Sequence, residues 1–295
     1  MPRPFTFRYA RVAVLVMLLA GCAPQPARTP AGPALTAGAG DLISRTGTYY
    51  QDQDLLQRTE NRLADGCLAA AGFTVDTTRP GSADEEWRPV LAERQAGGYR
   101  LRASQEAEAE SPAGRYVRAL PAERQDQFLA AMNGDAQQAI TLRDGQQFTF
   151  PSTGCLAEAR TTVFGDPAQA ARIDYLAQNY HNTAYLAAIA QPAYRTALTA
   201  WSACMRAEGH DFASPSAAKQ SLAAEYPPDA PATASPHEIA VAVADAGCAT
   251  RAGVPGTVES LLRDHAAGLD ETGIAELNAL ADLRAQAVAR AGTLS

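Results

Sequence analysis

Lysine is almost absent. The 295-residue chain carries 25 basic residues, and Lys219 is the single lysine among them. Aromatic residues make up only 7%, and charged residues, at 19%, fall below the usual share of about 25%. Basic charge is also outweighed. With 32 acidic residues the formal net charge is −7 and the sequence pI about 5.2, the wrong sign for holding a phosphate backbone. Nucleic acid is therefore excluded as a partner. Membrane-length apolar runs are missing as well. Gly-x-Ser-x-Gly, P-loop, dinucleotide and haem-attachment motifs are absent, so no cofactor is expected. What is abundant is small: hydrophobic residues reach 46%, but roughly a fifth of the chain is alanine. This composition excludes collagen-like, coiled-coil and wholly disordered chains and leaves enough apolar surface for a core.

The N-terminus carries the sharpest signal. Arg3, Arg8 and Arg11 precede an apolar run, Val12 to Ala20, of nine residues. That is too short to span a bilayer, which takes about 20, but it suits the apolar segment of a signal peptide. Leu19-Ala20-Gly21-Cys22 follows at once and resembles a bacterial lipobox. The resemblance implies a signal peptide over 1–21, cleavage before Cys22, and diacylglycerol on the Cys22 sulfur. Several acyl chains at about 0.8 kcal/mol per buried CH₂ give firm anchoring. Cleavage would remove three arginines and no acid, taking the formal charge from −7 to −10. Anionic headgroups repel such a body. The Pro/Ala/Gly-rich stretch 22–40 is expected to hold it off the surface as a tether, with a reach on the order of 25 Å.

Four cysteines remain: Cys67, Cys155, Cys204 and Cys248. An even number in an exported chain points to two disulfides, with three connectivities open. No Cys-x-x-Cys knuckle is present, which weighs against zinc. Local context favours one pairing. Cys67-Leu68 through Gly72-Phe73 matches Cys204-Met205 through Gly209-His210. Gly154-Cys155 matches Gly247-Cys248. The alternation reads as a degenerate duplication, repeat A over 41–165 and repeat B over 166–295. Each copy would then hold its own bridge, Cys67–Cys155 or Cys204–Cys248.

Helical spacing dominates the body. A helix is expected over 49–71, closed by Gly72. Residues 74–111 read as loop with at most a short helix. Pro121 opens the next helix, whose buried face should carry Phe128, Leu129 and Met132, and Gln146 to Phe150 alternates like a short strand. Further helices should start near Cys155 and at Asp166-Pro167, and Pro192 should break the latter. Residues 211–234, with four prolines, read as a long loop. Ser235-Pro236-His237-Glu238 has the pattern of a capping box. The last helices begin near Thr257 and Thr272, the final one with Ile274, Leu277 and Ala281 on its buried face. The expected fold is mainly α: a disulfide-stapled helical body of two degenerate repeats with long irregular loops.

Chemical motifs are weak. Ser216-Ala217-Ala218-Lys219 matches a Ser-x-x-Lys nucleophile motif, yet with one lysine in the chain the companion Lys-Thr-Gly element cannot exist. His181, His210, His237 and His265 show no metal-ligand spacing. His210-Asp211 are sequence neighbours that would point apart. Asp84-Glu85-Glu86-Trp87 hints at a sugar site but reads better as a solvated acidic loop. Tyr175, Tyr180, Tyr185 and Tyr194 fall on several faces and read as packing. No catalytic, cofactor or metal residue is assigned.

The combination of Cys67-Leu68 to Gly72-Phe73, Leu120-Pro121-Ala122-Glu123-Arg124, Gly154-Cys155 and Trp201-Ser202-Ala203-Cys204-Met205 resembles an uncharacterised group of actinobacterial secreted proteins and lipoproteins, across residues 50–250. The resemblance implies an extracytoplasmic location and transfers no functional residue. The expectation is a lipid-anchored envelope module on the outer face of the cell membrane. It would bind or scaffold rather than catalyse, with the bilayer and an envelope protein as partners. An enzyme with an unfamiliar site and an importer's solute-binding subunit are the rivals. The latter usually has two α/β lobes, and no strand–helix alternation is visible.

Overall fold

Short polar side chains followed by proline punctuate this chain into helices. The computed structural model describes residues 33–77, 82–101, 111–227 and 233–294. It begins with α1 (Ala37–Ser44), α2 (Tyr49–Ala70), α3 (Leu91–Gly97), α4 (Pro112–Ala119) and α5 (Ala122–Asn133). A hairpin of β1 (Gln137–Thr141) and β2 (Gln147–Pro151) precedes α6 (Gly154–Phe164) and α7 (Pro167–Ala171). A π-helical turn, Arg172–Leu176, leads into α8 (Ala177–Ile189). The chain continues through α9 (Pro192–Ala207), α10 (Pro215–Glu225), α11 (Pro236–Arg251), α12 (Val254–Ala267) and α13 (Glu271–Leu294). The fold is mainly α, with one antiparallel strand pair among the described residues, Gln137 opposite Pro151 and Thr141 opposite Gln147.

Ser111, Asp166, Ser214 and Ser235 each cap a helix whose next residue is proline. The capping oxygen takes an otherwise orphaned N–H, and proline at the first helical position has no N–H to satisfy. The same rule corrects the reading of 211–234 as loop. Pro215 starts α10 instead of preventing it, because Ser214 accepts from the Ala217 N–H. Pro121 stands one place outside α5, and α4 precedes it; of the expected buried face Phe128 is buried and Met132 half-buried, but Leu129, one residue round the helix from Phe128, points to solvent. The last two helices start at Val254 and Glu271, and α13 buries Gly273, Leu277, Leu280, Arg284, Ala287 and Ala291, leaving Ile274 and Ala281 half-buried.

From Pro33 onward the chain is one compact unit. Its main core surrounds Trp201, Met205, Val241, Val258, Leu262 and Leu277, all fully buried, with Ala184, Ala218 and Ala266 filling the gaps. A second cluster joins Leu56, Val163, Phe164 and Ile173 to Ala287 and Ala291. A third, around Leu68, Phe73, Phe128 and Cys155, lies against the first disulfide. Both bridges form with the pairing expected from local context: Cys67–Cys155, 88 residues apart, and Cys204–Cys248, 44 apart. The matched helix ends share one geometry. Gly72 and Gly209 take φ of 86° and 88°, and the next residues, Phe73 and His210, donate back five residues to Leu68 and Met205. Packing nevertheless crosses the 165/166 division, since α13 lies on α2 and α6, and α3 lies on α11. Residues 37–40 of the proline-rich stretch already belong to α1, with Ala39 and Gly40 buried. Cys22 and the lipobox lie outside the described residues. Among the described residues no helix is long and apolar enough to cross a membrane.

Candidate functional site

The acidic segment 84–87 is not a solvated loop. Trp87 is buried, and each carboxylate has its own cation. Asp84 meets Arg94 at 2.7 Å, Glu85 meets Arg45, and Glu86 meets Lys219 at 3.4 Å. Lys219 is thus an ion-pair partner seated over the Tyr99 ring, with Ser216 three residues before it on α10, bonded through Oγ to Gln220. Burial works to raise the Glu85 carboxyl, but Arg45 and the Tyr50 hydroxyl outweigh it and the net shift is downward.

Behind this segment lies a hub of buried charge. Arg94 and Asp245 are 1% and 0% exposed. Asp245 accepts from Trp201 Nε1 at 2.8 Å, the Tyr99 hydroxyl at 3.0 Å and Arg94 at 3.4 Å. Burial dominates its titration and holds its carboxyl above the ordinary aspartate range, against the pull of Arg94. Glu238 is fully buried beside it. Its position predicts a capping box, and Ser235 does accept from the Glu238 N–H. The Glu238 carboxylate, however, turns away to accept from the Tyr99 N–H at 2.8 Å, the Leu101 N–H at 3.3 Å and the Tyr226 hydroxyl. Tyr226 in turn accepts from the Ser235 N–H. Gly98, at φ 59°, makes this possible, since a Cβ there would lie 2.9 Å from Glu238 Oε1.

A second charged group is left incomplete. A cleft of about 330 Å³ opens between α2, the end of α6, the π-helical turn and α8. Gln53, Gln57, Glu60 and Asn61 face it from α2, and Asp174 and Gln178 from the other side. Arg160 reaches Glu60 at 3.1 Å and Asp174 at only 3.8 Å. Among the described residues no donor lies within hydrogen-bond distance of the carboxylate of Asp174, whose side chain remains a third exposed. Burial by the surrounding protein, and then the charge of Glu60, push its carboxyl up to about 6. Glu60 is raised too, by burial against the pull of Arg160. The π-helical turn inserts this aspartate into an otherwise α-helical run, a distortion frequent at functional sites. Chemically the cleft offers amide donors and acceptors and one carboxyl raised to about 6, with the Arg160 guanidinium placed between the two carboxylates.

The remaining candidates disperse. His181 is buried, with Nδ1 2.8 Å from the Ile43 carbonyl, and burial followed by the Arg45 charge lowers its pKa. His210 lies beside Phe212, His237 is 3.9 Å from Glu225, and His265 is on α12. Tyr175 stacks on Phe148, and Tyr180 bonds Arg143 and Glu276, its hydroxyl raised to about 12 chiefly by burial. Tyr185 and Tyr194 are half-buried against the main core. Cys204, Glu208 and Cys248 stand close enough together to resemble a metal site, but both sulfurs are spent in the disulfide. Nothing along the sequence marks Glu60, Arg160 and Asp174, because three residues on three elements form no spacing that can be read along a chain. Comparison with protein-family models, curated proteins and solved structures finds no match.

Proposed function

We propose that this chain is a lipid-anchored, extracytoplasmic binding module of the cell envelope, and that the cleft between α2 and the π-helical turn is its ligand site. The lipobox at Leu19–Cys22 supports the anchor, and two disulfides support an oxidising compartment. The observation that carries the binding role is Asp174. A carboxylate in a polar cleft, given no hydrogen-bond donor by the described residues and raised to about 6, fits a group reserved for a ligand rather than for the fold. Protein in the envelope is the expected partner, reached through the tether.

A photo-crosslinking residue at Gln57 in the tagged, full-length chain on intact cells tests this. One dominant adduct, lost on Asp174→Asn, is the expected result. Adducts unchanged by Asp174→Asn and by Glu60→Gln would refute the cleft as the site. For the anchor, an alkyne fatty acid should label the parent chain and not Cys22→Ala.

The same raised carboxyl favours a second reading, an enzyme in which Asp174 carries a proton. Turnover of cell-wall or peptide substrates that disappears in Asp174→Asn, with binding retained, would establish it over the binding role.

A further inference from the structure

The two disulfides share a pattern and differ in charge. Each pairs a half-buried sulfur, Cys67 or Cys204, with a buried one, Cys155 or Cys248. Beside Cys67 stands the Glu158 carboxylate, 3.5 Å from its sulfur. Beside the other bridge stands Arg251. Its guanidinium reaches Cys204 Sγ at 3.0 and 3.2 Å and Cys248 Sγ at 3.3 Å, and it is itself held by Glu208 at 2.6 Å.

We propose that Cys204–Cys248 is a thiol-exchange site, attacked at Cys204, and that its co-reactant is an external dithiol. A thiolate is the attacking species in every such exchange, and the rate rises as the leaving thiolate is better stabilised. Arg251 serves both steps. Its charge draws an anionic sulfur toward the accessible Cys204. As the new bond to Cys204 Sγ forms, the Cys204–Cys248 bond breaks and its electron pair passes to Cys248 Sγ, which already has an Arg251 N–H within reach. The second thiolate of the dithiol then attacks the mixed disulfide and releases Cys204, again beside Arg251. The dithiol ends oxidised to a disulfide, and its two protons balance those gained by the two cysteines.

At the other bridge the same attack is opposed. Glu158 repels an incoming thiolate, and the leaving sulfur would be Cys155, 3% exposed among Leu68, Phe73 and Phe128. The position of Cys155 at the start of α6 favours a thiolate, but the Glu158 charge one turn along offsets that half-charge. Cys67–Cys155 is therefore the structural bridge and Cys204–Cys248 the exchangeable one. Glu208 also lies within 4.8 Å of both sulfurs, but unlike Glu158 it is paired with Arg251, at 2.6 Å through one guanidinium nitrogen, which leaves Arg251 Nε directed at Cys204 Sγ.

The test uses the oxidised, full-length chain and two monothiols of opposite charge, 2-mercaptoethanesulfonate and cysteamine. Released thiols are trapped with N-ethylmaleimide at timed intervals and located by peptide mass spectrometry. Rates are compared per thiolate. Cys204 and Cys248 should be labelled first with the anionic thiol, roughly fivefold faster than with cysteamine, the size of a partly exposed charge effect. Cys67–Cys155 should show the reverse preference. Arg251→Gln should slow opening of Cys204–Cys248 and erase its charge preference, while Arg251→Lys restores part of it. A merely structural Arg251 would give the opposite sign, because its loss would loosen the corner and speed opening. Labelling of Cys67 and Cys155 first by the anionic thiol, or equal rates with both thiols in the parent chain, overturns the proposal.

Discussion

The Arg94–Asp245–Glu238 hub and the Glu60–Arg160–Asp174 cleft are both made of acids and arginine, yet only in the hub is every carboxylate supplied with donors, even though Arg94 Nη2 is left there without a partner among the described residues. In the hub Asp245 has three donors and Glu238 has three, and both carboxylates are out of solvent. In the cleft Asp174 has a cation at 3.8 Å and remains a third exposed. Charges withdrawn from water are tolerated when they are paired and hydrogen-bonded, and breaking such a set is expensive. Charges left half-paired sacrifice stability, and functional sites are where proteins keep them. The contrast separates what holds α3 to α11 from what is available to a ligand.

The largest break should come from the hub. Arg94→Met leaves Asp245 and Asp84 without their cation and should lose about 3–5 kcal/mol in urea unfolding. A loss under 1 kcal/mol would put the hub on the same footing as the cleft. Tyr226→Phe removes one charge-assisted bond to Glu238 and one acceptor for the Ser235 N–H, a loss of roughly 1.5 kcal/mol by thermal unfolding.

The cleft should respond with the other sign. A carboxyl raised from 3.8 to about 6 means that the folded state holds the proton more tightly than the unfolded one. The ionised form is therefore the destabilised one. Stability falls as pH rises from about 4 to about 6 and stays lower above that. Asp174→Asn should stabilise the protein by roughly 1 kcal/mol at pH 7, discounted for the exposed third of the side chain, and the gain should vanish below about pH 4. A pH-independent difference would remove Asp174 from the argument. Smallest of all, Gln57→Ala should leave stability within about 0.5 kcal/mol while weakening partner capture. If capture is unaffected, the amide wall of the cleft is only surface.

Much of the fold was legible because helix starts and stops are local. Asp166-Pro167 and Ser235-Pro236 announce their helices through a side chain three residues from its N–H, and Gly72 and Gly209 close theirs by taking positive φ. The disulfide pairing was legible for the same reason, as two matched Cys-to-Gly helix ends. Strand β1 was missed, since Gln137-Gln138-Ala139-Ile140-Thr141 lacks the alternation that betrays β2, and only the hairpin pairing makes it a strand. Asp84-Glu85-Glu86 reads as a solvated acidic loop until Arg94 comes to it from the next helix and Arg45 and Lys219 from distant places in the chain.

The sequence alone therefore determined the helical class, most helix boundaries and the two bridges, all features written within a few residues of one another. Tertiary structure decided the rest. Glu238 left its own capping box because Tyr99, Leu101 and Tyr226 offered three donors in a buried place. Asp174 became a titratable cleft residue because α2 and a π-helical turn enclosed it without supplying a donor. Arg251 became a neighbour of sulfur because α9 and α11 were bridged beside it. Each outcome depends on desolvation and on charges brought close by folding, and neither is written in the order of residues along a chain.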